Sequence, residues 1–303
     1  MKGDLIHIGC SLNDSFLMPY GVMLVSLFET NNMNRFHIHF FSSDLSKKSI
    51  ETLKDITERY HAGFSYYTLD SSLLEGLPVT NRISKDTYSW YLMAETISSD
   101  IDRLLILDGD IIVLDDIKPL WETNLNGYTI AVAEDIAGIK LKEYARLNIP
   151  EKFGYFNCGV ILINLKEWIK NEFSRKVLTY AREHASNLKY LDQDAGNYVL
   201  KDRKKMVGLK WNQQVGIYFL RKNYIRSIYS EEAVNEIKKN PAIVHFNGLE
   251  KPWNYTNLHP YKKKFNSFLK ISGIKKPKEK VTFRKFIKKT AYRLFGWGWW
   301  NRI

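Results

Sequence analysis

The chain has 303 residues, 45% of them hydrophobic, which is enough apolar material for a sizeable core and too much for a disordered chain. Its net charge of +12 is concentrated at one end, since residues 262–303 carry 14 basic side chains against one acid, Glu279, and leave residues 1–261 at −1. A near-neutral body without a recognised DNA or RNA motif argues against nucleic acid as a partner, and two cysteines in apolar settings, Cys10 and Cys158, argue against a disulfide framework.

Residues 5–10 (LIHIGC) read as a first strand, followed by a polar loop over 11–15 and a helix over 20–29. The opening apolar run is too short for a signal peptide, and no span of about 18 apolar residues occurs, so a cytoplasmic location is expected. Residues 36–41 (FHIHFF) form a second strand. Ser46 is placed to cap a helix reaching about residue 61, with Ile50, Leu53 and Ile56 at helical spacing. A third strand fits 64–69, and 86–98 (DTYSWYLMAETIS) reads as a helix lying beneath the segment that follows.

That segment is RLLILDGDIIVL, residues 103–114. The apolar run 104–107 suits a buried strand of a parallel sheet and stops at two carboxylates, Asp108 and Asp110, with Gly109 between them. Ligands of open α/β sheets bind beyond the carboxyl ends of strands, and a hard divalent cation wants carboxylate oxygens close together. Asp-x-Asp occurs three times, at Asp100/Asp102, Asp108/Asp110 and Asp192/Asp194, against about one chance occurrence, so context has to select among them.

Residues 111–114 continue as a short strand, 119–121 turn, and 128–133 (YTIAVA) make a strand ending at Glu134 and Asp135 on the same sheet edge. Residues 156–164 (FNCGVILIN) are a strand entered through Asn157, and 165–184 are helical. Residues 191–200 place Asp192, Gln193 and Asp194 at a helix N-terminus, where acids also serve simply as caps. Residues 242–245 (AIVH) are a short strand ending in His245, inside HFNGLEKPW.

In this order, LILDGDIIVL, YFNCGVILIN, LDQDAGN and HFNGLEKPW resemble the family 8 glycosyltransferases, retaining enzymes of the GT-A fold, and particularly their bacterial lipopolysaccharide hexosyltransferase branch. The similarity runs over residues 6–253. It implies a UDP-sugar donor and a divalent cation bridging its diphosphate, with Asp108, Asp110 and His245 as metal ligands. Two carboxylates with one imidazole suit Mn²⁺ better than Mg²⁺, although Mg²⁺ remains compatible. The resemblance also implies that Asp108, Gly109, Gly248 and Lys251 meet the diphosphate, the lysine as a point charge that favours the departing phosphate. Asn157, Asp192 and Gln193 then surround the transferred sugar and its reacting carbon, and Asp135 binds a sugar hydroxyl.

Retention usually employs a carboxylate nucleophile about 5 Å from a second carboxyl group. The reactive face here carries the amide Gln193, so front-face substitution competes with that route. Where the family has an acid and Asn followed by Tyr against uracil and ribose, this chain has Asn13, Asp14, Ser15 and Phe16; Phe16 can stack on a base but offers no hydroxyl. The family's arginine before the Asp-Gly-Asp segment is absent from SWYLMAE, with Arg82 or Lys85 as substitutes.

Residues 281–303 interleave Arg284, Lys285, Lys288, Lys289 and Arg293 with Phe283, Phe286, Ile287, Leu294 and Phe295, then end in GWGWWNRI. This suits an interfacial helix on an anionic membrane surface, against the alternative of a solvated basic helix with one core-packing face. The expectation is an α/β protein with a GT-A, Rossmann-like nucleotide-sugar-binding domain over 1–257 and a basic, mainly helical membrane-docking tail over 258–303. It should move glucose or galactose from a UDP-sugar to a saccharide or lipid-linked acceptor in cell-surface polysaccharide synthesis, as a peripheral enzyme on the inner face of the cell membrane. Two readings compete: a haloacid-dehalogenase-like phosphohydrolase, whose motif prefers Thr where this chain has Ile112, and a non-catalytic membrane-bound scaffold of the same fold.

Overall fold

The computed structural model describes residues 5–80, 85–97, 100–220 and 222–295. The main sheet contains β1 (Leu5–Ser11), β2 (Arg35–Ser42), β3 (Gly63–Thr68), β4 (Arg103–Leu107), β6 (Ile130–Glu134), β7 (Phe156–Asn164) and β8 (Lys204–Val207), ordered β3-β2-β1-β4-β7-β6-β8. A smaller sheet holds β5 (Ile111–Val113), β9 (Gln213–Gln214) and β10 (Ile243–His245), ordered β5-β10-β9.

Strands β1 to β4 pair in parallel, with Ile6 opposite Phe36 and Ile8 opposite Leu105. Strand β7 inserts antiparallel between β4 and β6, with Leu105 opposite Leu162 and Ala131 also opposite Leu162. Side chains of β4 alternate between two cores, as a strand covered on both faces must. Leu105 and Leu107 join the Leu17–Thr30 helix, while Leu104 and Ile106 join Tyr88, Tyr91, Met93 and Trp168 on the other face.

The small sheet positions the site. Strand β10 runs antiparallel to β5, placing His245 opposite Ile111, and the N–H of Phe246 donates to the carbonyl of Asp110 at 2.9 Å. A histidine far along the chain is thereby registered against the Asp-Gly-Asp turn by backbone hydrogen bonds alone.

Three expected elements differ. The helix read over 86–98 is a 3₁₀ segment, Lys85–Leu92, followed by a single α turn, Met93–Thr96, with residue 98 outside the described residues. Tyr88, Ser89, Trp90, Tyr91, Leu92 and Met93 are all buried, so the segment has no polar face, and packing decides its winding. The helix read over 165–184 divides into Leu165–Lys170 and Phe173–Glu183 at Glu172, which adopts φ 52°. The turn at 119–121 is the short helix Lys118–Trp121.

The division expected after residue 257 does not coincide with the edge of the packing. In the helix Lys262–Ser272, Phe265 is fully buried and Phe268 and Leu269 lie in the same core as the Leu17–Thr30 helix. Ile274 follows, with its Cδ1 only 2.2 Å from where a Cβ on Gly21 would stand. The i, i+3, i+4 apolar stripe holds this helix to the body while Lys263, Lys264 and Lys270 are exposed, so this part of the basic tail packs with the residues before it. Beyond an exposed stretch, the helix Phe283–Phe295 touches the body through Ala291, Tyr292 and the Lys288–Glu250 ion pair at 2.5 Å. Residues 296–303, with the tryptophan-rich end, lie outside the described residues. Among the described residues no helix is long and apolar enough to cross a membrane.

Candidate active site

Beyond the carboxyl end of β4 lies a cleft of about 900 Å³ whose lining includes Asn13, Phe16, Asp108, Gly109, Asp110, Asn157, Asp192, Gln193, His245, Gly248 and Lys251. Asp108, Asp110 and His245 are the group able to hold a metal ion among the described residues, with ligand atoms within 4.8 Å of one another. His245 Nε2 stands 3.3 Å from Asp110 Oδ1 and 3.7 Å from Asp108 Oδ2. Asp108 is 48% exposed to the cleft, whereas Asp110 and His245 are buried at its floor.

The tautomer of His245 follows from its neighbours. The Gly159 N–H donates to Asn157 Oδ1 at 3.0 Å, so the atom Asn212 presents to that oxygen at 2.9 Å is its Nδ2. Asn212 Oδ1 then accepts from His245 Nδ1 at 3.0 Å, which leaves the lone pair of Nε2 facing the two carboxylates. A lone pair and two carboxylates converging on one point call for a cation between them. The donor set therefore fits a divalent metal. Gly159 makes the arrangement possible, because a Cβ there would lie 2.2 Å from His245 Cε1.

Lys251 donates to Asp110 Oδ2 and, at 2.9 Å, to the carbonyl of Phe246. Burial by itself would raise the Asp110 carboxyl, but the Lys251 ammonium, together with His245 beside it, outweighs burial and holds the group well below its ordinary value. Although its side chain opens onto the cleft, Asp108 is pushed upward, first by the protein packed around it and then by the charge of Asp110.

The side chains expected around the sugar form one network. Asn157 Nδ2 donates to Asp135 Oδ2 at 3.1 Å and to Gln193 Oε1 at 3.2 Å, and Gln193 Nε2 donates to Asp135 Oδ2 at 3.0 Å. Asp135 Oδ1 accepts from the Gly138 N–H at 2.8 Å and caps the helix Ile136–Lys140. Asp135 thus stands behind Asn157 and Gln193 and braces them, rather than joining the lining of the cleft.

The neighbouring acids of the Leu191–Val199 helix have different environments. Asp194 is fully buried and accepts both Nη2 contacts of Arg146 (2.7 and 2.8 Å), the Tyr155 hydroxyl (2.6 Å) and the N–H groups of Lys189 and Tyr190, a structural cap. Asp192 reaches the cleft and accepts from Trp90 Nε1 at 3.2 Å. Burial pushes it up to about 7 against the lowering effect of its Thr87 and Trp90 hydrogen bonds. Leu191, just before it, is held at φ 42°, a strained setting for a branched residue.

In the N-terminal loop, Asn13 caps the turn Asp14–Phe16, and Phe16 meets Trp253 edge-on at 6.4 Å while lining the cleft. Gly109 packs against Tyr20, whose ring would lie 2.6 Å from a Cβ there. Arg82 and the side chain of Lys85 lie outside the described residues. Asn212 carries no sequence signal of its own; a WNQQ segment far from any recognised motif gives no reason to single it out.

Residues 7–257 match the family described as glycosyl transferase family 8. The chain is 29% identical over 273 residues to General stress protein A of Bacillus subtilis, covering 88% of this chain and 94% of that protein. It is 26% identical over 293 residues to a lipopolysaccharide 1,2-glucosyltransferase of Escherichia coli (96% and 84% covered) and 27% identical over 267 residues to the lipopolysaccharide 1,3-galactosyltransferase of Salmonella typhimurium (86% and 77%). Among solved structures, the galactosyltransferase LgtC in complex with donor and acceptor sugar analogs superposes with a TM-score of 0.79 at 20% identity, over 93% of this chain and 100% of that one, so the expected GT-A fold is present. The phosphohydrolase and scaffold readings give way to a glycosyltransferase. With most of its length matched, the chain belongs to glycosyl transferase family 8.

Proposed function

We propose that this glycosyltransferase moves glucose or galactose from UDP to a saccharide or lipid-linked acceptor of the cell surface, with retention at the anomeric carbon. The observation that carries the reading is the convergence of Asp108, Asp110 and the His245 Nε2 lone pair at the floor of a cleft large enough for a sugar nucleotide. The E. coli relative, a lipopolysaccharide 1,2-glucosyltransferase, and the Salmonella relative, a lipopolysaccharide 1,3-galactosyltransferase, support the hexose and the lipopolysaccharide-type acceptor.

Asp108, Asp110 and His245 would hold a divalent cation, Mn²⁺ by donor type, which supplies positive charge against a departing diphosphate. Lys251 adds an ammonium at the same place, with Gly248 leaving room for backbone approach, and Phe16 offers its ring to the base. Asn157 and Gln193 are fixed by Asp135 and present a rigid polar wall to the sugar. The side chain beside Asn157 on that wall is the amide Gln193, a poor nucleophile, while the carboxyl Asp192 accepts from Trp90 Nε1 and is raised to about 7 by burial. This favours front-face substitution, in which the acceptor oxygen attacks on the face the diphosphate leaves. Like the sequence pattern, the exposed aromatic and basic residues of the Phe283–Phe295 helix support docking on the inner face of a membrane.

Incubation with a panel of sugar nucleotides tests the reading. Hydrolysis of UDP-glucose or UDP-galactose should require Mn²⁺ and vanish in Asp110→Ala; comparable turnover in EDTA, or of ADP- and GDP-sugars, overturns it.

A further inference from the structure

A second concavity, of about 400 Å³, lies away from the sugar-nucleotide cleft, bordered by the Lys262–Ser272 helix, residues 276–281 and the Phe283–Phe295 helix. Its wall carries Lys262, Lys276, Lys278 and Lys289 around Tyr255, with a single acid, Glu279. That acid is already engaged, since Oε2 accepts from the Tyr255 N–H at 2.7 Å and Oε1 from Lys285 Nζ at 2.6 Å. Lys262 donates to the carbonyls of Asn254 and Asn257, and Lys289 stands 3.9 Å from the centre of the Tyr255 ring. None of the four lysines forms an ion pair among the described residues. Burial, and then repulsion from Lys289 and Lys276, lowers Lys262 to about 8, the signature of a positive site short of counter-charge.

Beside this pocket the Phe283–Phe295 helix turns an apolar row outward: Phe283 is 78% exposed, Leu294 71%, Phe286 53% and Ile287 44%. Its opposite side holds the helix to the body through Lys288, Ala291 and Tyr292. A row of this size at helical spacing is more than scattered surface hydrophobicity. Several ammonium groups on flexible stems suit a compact, densely charged anion better than a planar carboxylate, which arginine forks match.

We propose that the Lys262/Lys276/Lys278/Lys289 pocket binds the phosphate of an anionic phospholipid headgroup, while Phe283, Phe286, Ile287 and Leu294 meet the acyl chains beside it. This rests on the membrane-facing reading of the helix and is independent of the sugar chemistry. It divides the tail's basicity into a defined phosphate site and a diffuse remainder.

The test uses the full chain with phosphatidylcholine vesicles, with and without phosphatidic acid, and compares Lys276→Gln/Lys278→Gln with Lys263→Gln/Lys264→Gln. The second pair loses the same charge from exposed positions outside the pocket. The pocket variant should lose about tenfold more affinity for phosphatidic acid vesicles than the control variant, with donor hydrolysis and melting unchanged in both. Inorganic phosphate should displace the intact protein from these vesicles better than chloride at equal ionic strength. Equal losses in the two variants leave membrane docking standing but overturn the pocket. Absence of vesicle binding by the intact chain overturns both, and if inorganic phosphate then raises its melting temperature, the ligand is free phosphate and not a lipid.

Discussion

Replacing Gly159 by alanine isolates the geometry on which metal binding depends. The added Cβ would meet His245 Cε1 at 2.2 Å and Nδ1 at 2.6 Å, well inside van der Waals contact. The imidazole would have to retreat by about 1 Å, yet it is 3% exposed and tied to Asn212 at 3.0 Å. Ligand distances in metal sites tolerate about 0.2 Å, and a displacement of about 1 Å at a reacting centre costs on the order of 100-fold, or about 2.7 kcal/mol. Calorimetric titration of metal-free protein with Mn²⁺ should therefore show Gly159→Ala binding about 100-fold more weakly, with donor hydrolysis falling in parallel. Gly208→Ala is the control, because nothing lies within 4 Å of a Cβ there and φ is −64°. Mn²⁺ affinity for Gly159→Ala within about threefold of the native value would refute the packing argument.

Asn212→Ala removes the acceptor that keeps the His245 proton on Nδ1, and should cost about 10–100-fold in Mn²⁺ affinity; unchanged affinity would show that the tautomer is set elsewhere. Asp192 gives a pH signature in EDTA. Its folded pKa of about 7 lies above an unfolded value of 3.8, so the native chain is most stable below the lower value and loses stability as pH rises through the upper one. Asp192→Asn should accordingly melt higher than the native chain at pH 8, by up to about 4 kcal/mol, and lose that advantage near pH 4; a pH-independent difference contradicts the assignment. Phe265→Ala should lower unfolding stability by about 3–5 kcal/mol in a denaturant titration if the Lys262–Ser272 helix belongs to the core. A loss below about 1 kcal/mol would restore the earlier boundary.

The strands and the Asp-Gly-Asp turn were legible because a buried parallel strand must be apolar throughout and stops where the chain reaches the ligand. His245 was legible through its motif, although the antiparallel pairing of β10 with β5 that brings it to Asp110 was not. Asn212 was invisible: its importance lies in two hydrogen bonds, to His245 and Asn157, that only tertiary structure creates. Asp192 and Asp194 look alike in sequence, and only the Arg146, Tyr155 and backbone donors around Asp194 separate the cap from the residue in the cleft. The 85–97 segment misled because its middle, residues 88–94, is buried on all sides and carries no periodicity to read. In the tail, net charge masked Phe265, Phe268 and Leu269, since a helix can be strongly basic and still bury one face.

The central claim, that Asp108, Asp110 and His245 hold a cation joining the protein to a nucleoside diphosphate, is tested most directly by thermal unfolding with UDP. At a ligand concentration about 100-fold above the dissociation constant, binding should stabilise the protein by about 2.7 kcal/mol. That gain should appear with Mn²⁺ present, disappear in EDTA and be absent from Asp110→Ala. Equal stabilisation by UDP with Mn²⁺ and with EDTA would contradict the account.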